Sequence, residues 1–134
     1  PAFEPAPIPP YAIRLALEFV NSHGIGDAPE LIPYIEARTG KEIEEAWVLN
    51  RVGFRLLAEE RYDWAVAVLR ANTELFPDDG NLHDSLATGY RQAGDHAAAI
   101  AEFRRALELA PQDGVCFWCA DSAQSLADLG PLPD

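Results

Sequence analysis

The chain has 134 residues, is 49% apolar, and carries 22 acidic against 10 basic side chains for a formal charge of −12. That length and apolar content suit one domain with its own core; no apolar run approaches the ~20 residues of a membrane-crossing helix, and no leader-like segment is visible. The acidic excess argues against nucleic acid or an anionic membrane as partner, since both demand a positive surface, and leaves two readings: attraction to basic peptides, or solubility.

Residues 1–10 contain five prolines, a composition that predicts an extended linker entering from an upstream portion or else a disordered terminus. The absence of methionine, including an initiator, marks the sequence as a processed product or an excerpt. Residues 11–45 read as a helix pair. Ile13, Ala16, Leu17 and Val20 form one helical stripe, and Asn21 to Gly26 breaks it. Pro29 suits the first turn of a second helix carrying Leu31, Ile32, Ile35 and Ala37, which Gly40 stops.

From residue 46 the chain echoes itself at a spacing of 34 residues. Glu74-Leu75-Phe76-Pro77-Asp78-Asp79-Gly80 returns as Glu108-Leu109-Ala110-Pro111-Gln112-Asp113-Gly114, identical at five of seven positions. The same offset pairs Val52 with Leu86, Gly53 with Ala87, Leu56 with Tyr90, Ala65 with Ala99, and Leu69 with Phe103. A fixed period of this length is the signature of a helical repeat array, whose units bury their apolar faces by stacking. Gly53 and Ala87 are expected to face Ala65 and Ala99, so that two helix backbones approach closely. Asp95 is placed to cap a helix start, and Pro77 and Pro111 end the helices before them. Val115 to Leu129 reads as a closing helix, stopped by Pro131 and Pro133.

The pattern Leu49, Val52, Gly53, Leu56, Ala65, Leu69, Asn72, Pro77, repeated as His83, Leu86, Ala87, Tyr90, Ala99, Phe103, Ala106, Pro111, resembles the tetratricopeptide repeat. The departures are His83 in place of the usual Trp, Asn72 in place of Ala, and Glu60 where the second copy has Gly94. The resemblance implies an all-α fold: antiparallel helix pairs stacked as a short right-handed α-solenoid of about seven helices. Its units would be the linker at 1–10, a degenerate repeat or capping pair at 11–45, repeats at 46–79 and 80–113, and a closing helix and tail at 114–134. It also implies a protein-interaction or scaffold module that binds a peptide or partner protein on the concave face made by the first helix of each repeat. That face would present Trp47, Asn50, Arg51 and Phe54, then Asn81, Asp84, Ser85, Thr88, Arg91 and Gln92. Phe54 and Leu57 could equally lie buried under the helices before them. The Lys, Asn and Arg set with which chaperone-binding members hold a terminal carboxylate is missing; those positions carry Asn50, Phe54, Asp84 and Ser85.

A second resemblance is to the tail of bacterial serine hydrolases related to esterases and β-lactamases, carried by Leu49 to Leu57, Asn72, Phe76-Pro77-Asp78 and Asn81-Leu82-His83-Asp84-Ser85-Leu86-Ala87. It implies an accessory or dimerisation domain whose partner is an adjacent domain of the same polypeptide or a second copy of the chain. Any catalytic residues would then lie outside this sequence. The expected setting is a soluble one, the cytoplasm or periplasm of a bacterium, with no membrane insertion.

The sharpest chemical motif is Cys116-Phe117-Trp118-Cys119. Three readings stand: two small apolar residues on the packing face of the last helix, a disulfide, or metal or redox chemistry. Zinc would need two further ligands, and His23, His83 and His96 show no ligand spacing. Ser22-His23 and His83-Asp84-Ser85 hold triad residue types, but sequence neighbours point in different directions. The expectation is therefore a protein that is no enzyme, with no catalytic residue, metal or cofactor.

Overall fold

The computed structural model describes residues 8–131. Seven α-helices run through them: α1 (Ile8–Ser22), α2 (Leu31–Thr39), α3 (Ala46–Ala58), α4 (Tyr62–Leu75), α5 (Gly80–Ala93), α6 (His96–Glu108) and α7 (Cys119–Leu129). A 3-10 helix, Ile25–Glu30, precedes α2, and there is no strand among the described residues. The all-α repeat architecture read from the sequence is the one observed.

The two 34-residue units are the hairpins α3–α4 and α5–α6. Within each, apolar side chains at three- and four-residue steps turn to one face. Val52, Leu56, Ala65 and Leu69 of the first unit and Leu86, Ala87, Ala99 and Phe103 of the second are all 2% exposed or less. The joints follow from local chemistry. Asp79 accepts from the Asn81 N–H at 3.0 Å and Asp95 from that of Ala98 at 3.1 Å, so each side chain satisfies a free donor at a helix start. The chain stops being α-helical just before Pro77.

One expectation about the helix crossing needs correcting. The tight approach at Gly53 is to a side chain, not to Ala65. A Cβ built on Gly53 would lie 2.5 Å from Leu69 Cγ, and one on Gly89 would lie 3.1 Å from Leu69 Cδ1. Leu69, 1% exposed, is therefore wedged between a glycine of its own unit and a glycine of the next.

Each departure from the repeat pattern has a structural counterpart. His83 places Nδ1 2.7 Å from Glu102 Oε2 and Nε2 3.0 Å from the Pro77 carbonyl, linking α5 to α6 and to the preceding joint. Asn72 is fully buried, and its Nδ2 donates to the Ala46 carbonyl at 2.7 Å, tying the end of α4 to the start of α3. Glu60 turns the α3–α4 corner with φ of 60°, where Gly94 has 92° at the α5–α6 corner. A left-handed residue with a Cβ costs roughly 1–2 kcal/mol, and glycine removes that cost at some expense in chain entropy. Glu60→Gly is accordingly expected to stabilise the protein by about 0.5–1 kcal/mol, read as a rise in the urea midpoint with unchanged slope. A lower midpoint would mean that the Glu60 side chain holds the corner.

The amino-terminal pair departs from a repeat. In the units proper the second helix packs on the first helix of the next, α4 on α5 and α6 on α7. Here α1 packs on α3, while α2 packs chiefly on α1 and the 3-10 helix. Phe19 meets Trp64 edge-on with centroids 6.1 Å apart, and the Arg61 guanidinium donates to Asn21 Oδ1 at 2.6 Å and to the Val20 carbonyl at 3.3 Å. Pro29 lies in the 3-10 helix and not in the first turn of α2. Gly40, at φ of 71°, closes α2 as expected. Helix α1 opens at Ile8, inside the expected linker, because prolines are tolerated in a first turn whose N–H groups lack partners anyway. The rest of that linker, residues 1–7, and Pro133 lie outside the described residues.

The closing helix starts later than the expected Val115. Leu109 to Trp118 form a connector of ten residues, where Phe76 to Asp79 need four. Within it Cys116 and Cys119 are joined in a disulfide, with Cα atoms 5.5 Å apart. The reading of the cysteines as packing residues of the last helix is thereby replaced by the covalent one. Trp118 anchors the connector: its Nε1 donates to the Ala106 carbonyl at 3.0 Å, and its ring covers Gly80, where a Cβ would come within 2.7 Å of Cζ2.

Candidate functional site

The ten residues expected on the concave face sit on α3 and α5, which lie side by side. They divide into two groups with different surroundings.

On α3, Trp47 and Phe54 remain 44% and 40% exposed. They stand two turns apart, with Arg51 between them and its guanidinium 5.6 Å from the Trp47 ring centroid. The Trp47 indole also donates to the Glu45 carboxylate. Asn50 is half-buried, and its Oδ1 has no hydrogen-bond partner. Leu57, by contrast, is 4% exposed and belongs to the core. The alternative left open for the pair thus divides: Leu57 is inside and Phe54 is not.

On α5 most of the polar residues are already engaged. Ser85 is 3% exposed and its hydroxyl donates to the Asn81 carbonyl at 3.1 Å. Thr88 donates to the Asp84 carbonyl at 3.0 Å. Asp84 is half-buried and accepts from the Ser122 hydroxyl of α7 at 2.6 Å. Arg91 lies 4.0 Å from Asp128, also of α7. Gln92 is exposed, and Asn81 is half-buried beside its cap Asp79. A cleft of about 440 Å³ remains between these helices, lined by Thr88, Arg91, Gln92, Phe103, Asp121 and Ser125.

Asp121, Ser122, Ser125 and Asp128 were not among the expected residues. Their spacing of one, three and three residues puts them on one side of α7, a polar stripe on a helix read only as a cover. That stripe was the available signal. It inverts the usual arrangement, since Ser122 and Ser125 are among the most buried polar residues of the chain.

Burial raises the Asp84 carboxyl from 3.8 to about 6; the Ser122 hydrogen bond opposes this and the neighbouring Asp121 adds to it. A folded-state value above the unfolded one gives stability that is complete below pH 3.8 and lost as pH rises through about 6. Asp84→Asn keeps an acceptor for Ser122 and removes the charge. The variant is expected to gain on the order of 1 kcal/mol relative to wild type between pH 4.5 and 7.5, a modest figure because water partly screens the site. Paired thermal melts across that range check it; parallel pH profiles for the two proteins would contradict it.

Ser22 and His23 do touch, contrary to the expectation that neighbours diverge: Ser22 Oγ lies 2.9 Å from His23 Nδ1. Proton direction nevertheless disfavours nucleophile chemistry. Ser22 Oγ donates to the Glu18 carbonyl at 2.8 Å, and Nδ1 lies 3.0 Å from the Phe19 carbonyl, an acceptor only. Nδ1 therefore carries its proton and cannot take one from Ser22. The ring stacks on Phe19 with centroids 3.8 Å apart, as part of the end of α1. Among the described residues no three His, Cys, Asp or Glu side chains are grouped to hold a metal ion. No helix among them is long and apolar enough to cross a membrane.

Residues 80–113, the second of the two units, match the tetratricopeptide repeat family. Sixteen chains of solved structures resemble this one. One is a mutant form of MamA, similar with a TM-score of 0.55 and 22% identity over 96% of this chain. The present chain spans 63% of that structure's length, and the likeness is one of fold. No curated protein sequence matches it. Neither the repeat match nor the likeness to MamA carries a link to serine hydrolases.

Proposed function

We propose that this chain is a protein–protein interaction module that takes a peptide or partner protein on the concave face of its repeats, centred on α3. The carrying observation is the Trp47–Arg51–Phe54 strip, two aromatic rings about two-fifths exposed on either side of an arginine. Aromatics and arginine are the residue types that supply most interface energy, because they bury much area at small entropic loss. Their exposed ring area is apolar surface that a partner could cover. The α5 residues play a lesser part, since Ser85, Asp84 and Arg91 are engaged inside the protein. The match of residues 80–113 to a repeat family of binding modules supports the same reading. The alternative is an accessory or dimerisation domain of a larger polypeptide, whose contact would be an adjacent domain or a second copy.

The double variant Trp47→Ala, Phe54→Ala is expected to fold normally and to weaken partner capture at least tenfold, about 1.4 kcal/mol or more. Arg51→Glu is the single-site counterpart. Arg91→Glu is unsuitable, because it would set a second acid beside Asp128 and disturb α7. Crosslinking in the native host with wild type and variant, alongside sedimentation of each, separates the readings. Loss of a heterologous partner supports the module. Loss of self-association or of an intrachain contact favours the accessory domain. Undiminished contacts of all kinds would remove α3 as the site.

A further inference from the structure

The carboxy-terminal helix is poorly equipped to hold its own position. It has eleven residues, too few to be stable by themselves in water. Its N-cap is Trp118, which makes no side-chain capping hydrogen bond. The residues that α7 buries most are Ser122 and Ser125, and its larger apolar side chains, Leu126 and Leu129, are half-buried and come late. Within α7 the early anchor is the Ser122 hydroxyl, which donates to Asp84 at 2.6 Å. Two further features fix the start of the helix. The Trp118 indole lies across Gly80 and bonds to the Ala106 carbonyl, and the Cys116–Cys119 disulfide closes a ring around that tryptophan.

A disulfide spanning three residues removes little freedom from the unfolded chain, so its effect is local. It is also accessible. Both cysteines are half-buried, not sealed, and the flanking Val115 and Phe117 are 89% and 75% exposed. Cys119 is the first residue of α7, where unpaired N–H groups favour a thiolate and so make its sulfur a good leaving group.

We propose that the Cys116–Cys119 disulfide is a redox latch: its reduction by a dithiol donor frees Trp118, loosens the first turns of α7 and opens the cleft over Thr88, Arg91 and Gln92. In the step, one donor thiolate attacks a sulfur of the Cys116–Cys119 bond and forms a mixed disulfide, releasing the other cysteine as a thiolate. The donor's second thiolate then displaces the remaining cysteine. Two electrons pass to the protein, both cysteines take up protons to become thiols, and the donor leaves as a disulfide. The latch is independent of which partner α3 binds.

Hydrogen exchange of the whole chain, read by mass spectrometry before and after treatment with dithiothreitol, tests this. Reduction is expected to release two alkylatable thiols and to lower amide protection in Cys119–Leu129 at least tenfold, with protection in Ala46–Leu75 changed less than twofold. The Cys116→Ser, Cys119→Ser variant should show the reduced pattern and ignore dithiothreitol. Three results would overturn the proposal: two free thiols in the protein purified under air, equal protection of α7 in both redox states, or uniform loosening of all helices on reduction.

Discussion

Leu69→Ala is expected to destabilise the protein by about 2–5 kcal/mol, towards the upper end of what a buried leucine costs. The reason is the pair of glycines that flank it. After truncation, a cavity normally shrinks as neighbouring side chains lean in. Here Gly53 and Gly89 have none to offer, and both belong to helix backbones held by their own hydrogen bonds. Val52, Leu56 and Phe103 of the same core are 1% exposed or less, so little loose apolar material is at hand to fill the gap. Urea unfolding followed by circular dichroism measures the loss. A cost under about 1 kcal/mol would show that the helices close up around the gap, and the wedge would be incidental.

Gly53→Ala is expected to destabilise as well, by up to about 2 kcal/mol net, although alanine is the better helix former by roughly 1 kcal/mol. The contact distance decides between the two effects. A Cβ there meets the Cδ2 methyl of Leu69 and also its branch point, 2.5 Å from Cγ, so a swing of the methyl alone does not clear it. Overpacking of this kind costs about 1–3 kcal/mol, which exceeds the propensity gain through most of its range. The two substitutions are coupled. In a Leu69→Ala background the clash is gone and the new methyl partly fills the hole, so Gly53→Ala should turn neutral or stabilising. A double-mutant cycle with a coupling near zero would mean that Gly53 matters for a reason other than Leu69.

These residues also show what a sequence of this kind can tell. The 34-residue echo located both hairpins, their joints and the small positions within them, because a repeated unit must solve the same packing problem twice. It could not say that Gly53 accommodates Leu69 in preference to Ala65. Both lie on α4 at helical spacing from one another, and the period ranks them equally. The flanks were harder for a related reason. Leu15 and Phe19 of α1 and Leu31 and Ile35 of α2 lie 34 residues before Leu49, Gly53, Ala65 and Leu69 and are buried like them, yet α2 does not pack as a repeat's second helix. The period is carried by residues 46–113 and does not constrain the packing of the pair before them.

The candidate site was legible in part. Trp47 and Arg51 are exposed, and so is Phe54, for which the sequence leaves burial equally open. The engagement of Asp84 and Arg91 was hidden because their partners, Ser122 and Asp128, lie 37 and more residues ahead on a helix whose start depends on a disulfide. A connector six residues longer than its counterpart shifts the register of everything after it. Cys116 and Cys119 offered three readings, and the sequence does not show that the connector brings their Cα atoms within 5.5 Å in a disulfide.

Leu69 reaches Gly53 within its own unit and Gly89 in the next with the same isobutyl group. The interior of one repeat and the boundary between two repeats are thus a single object. Arrays whose boundaries are separable can fray unit by unit, each opening at its own free energy. In this chain opening the first repeat exposes part of the second, so the pair is expected to melt in one cooperative step.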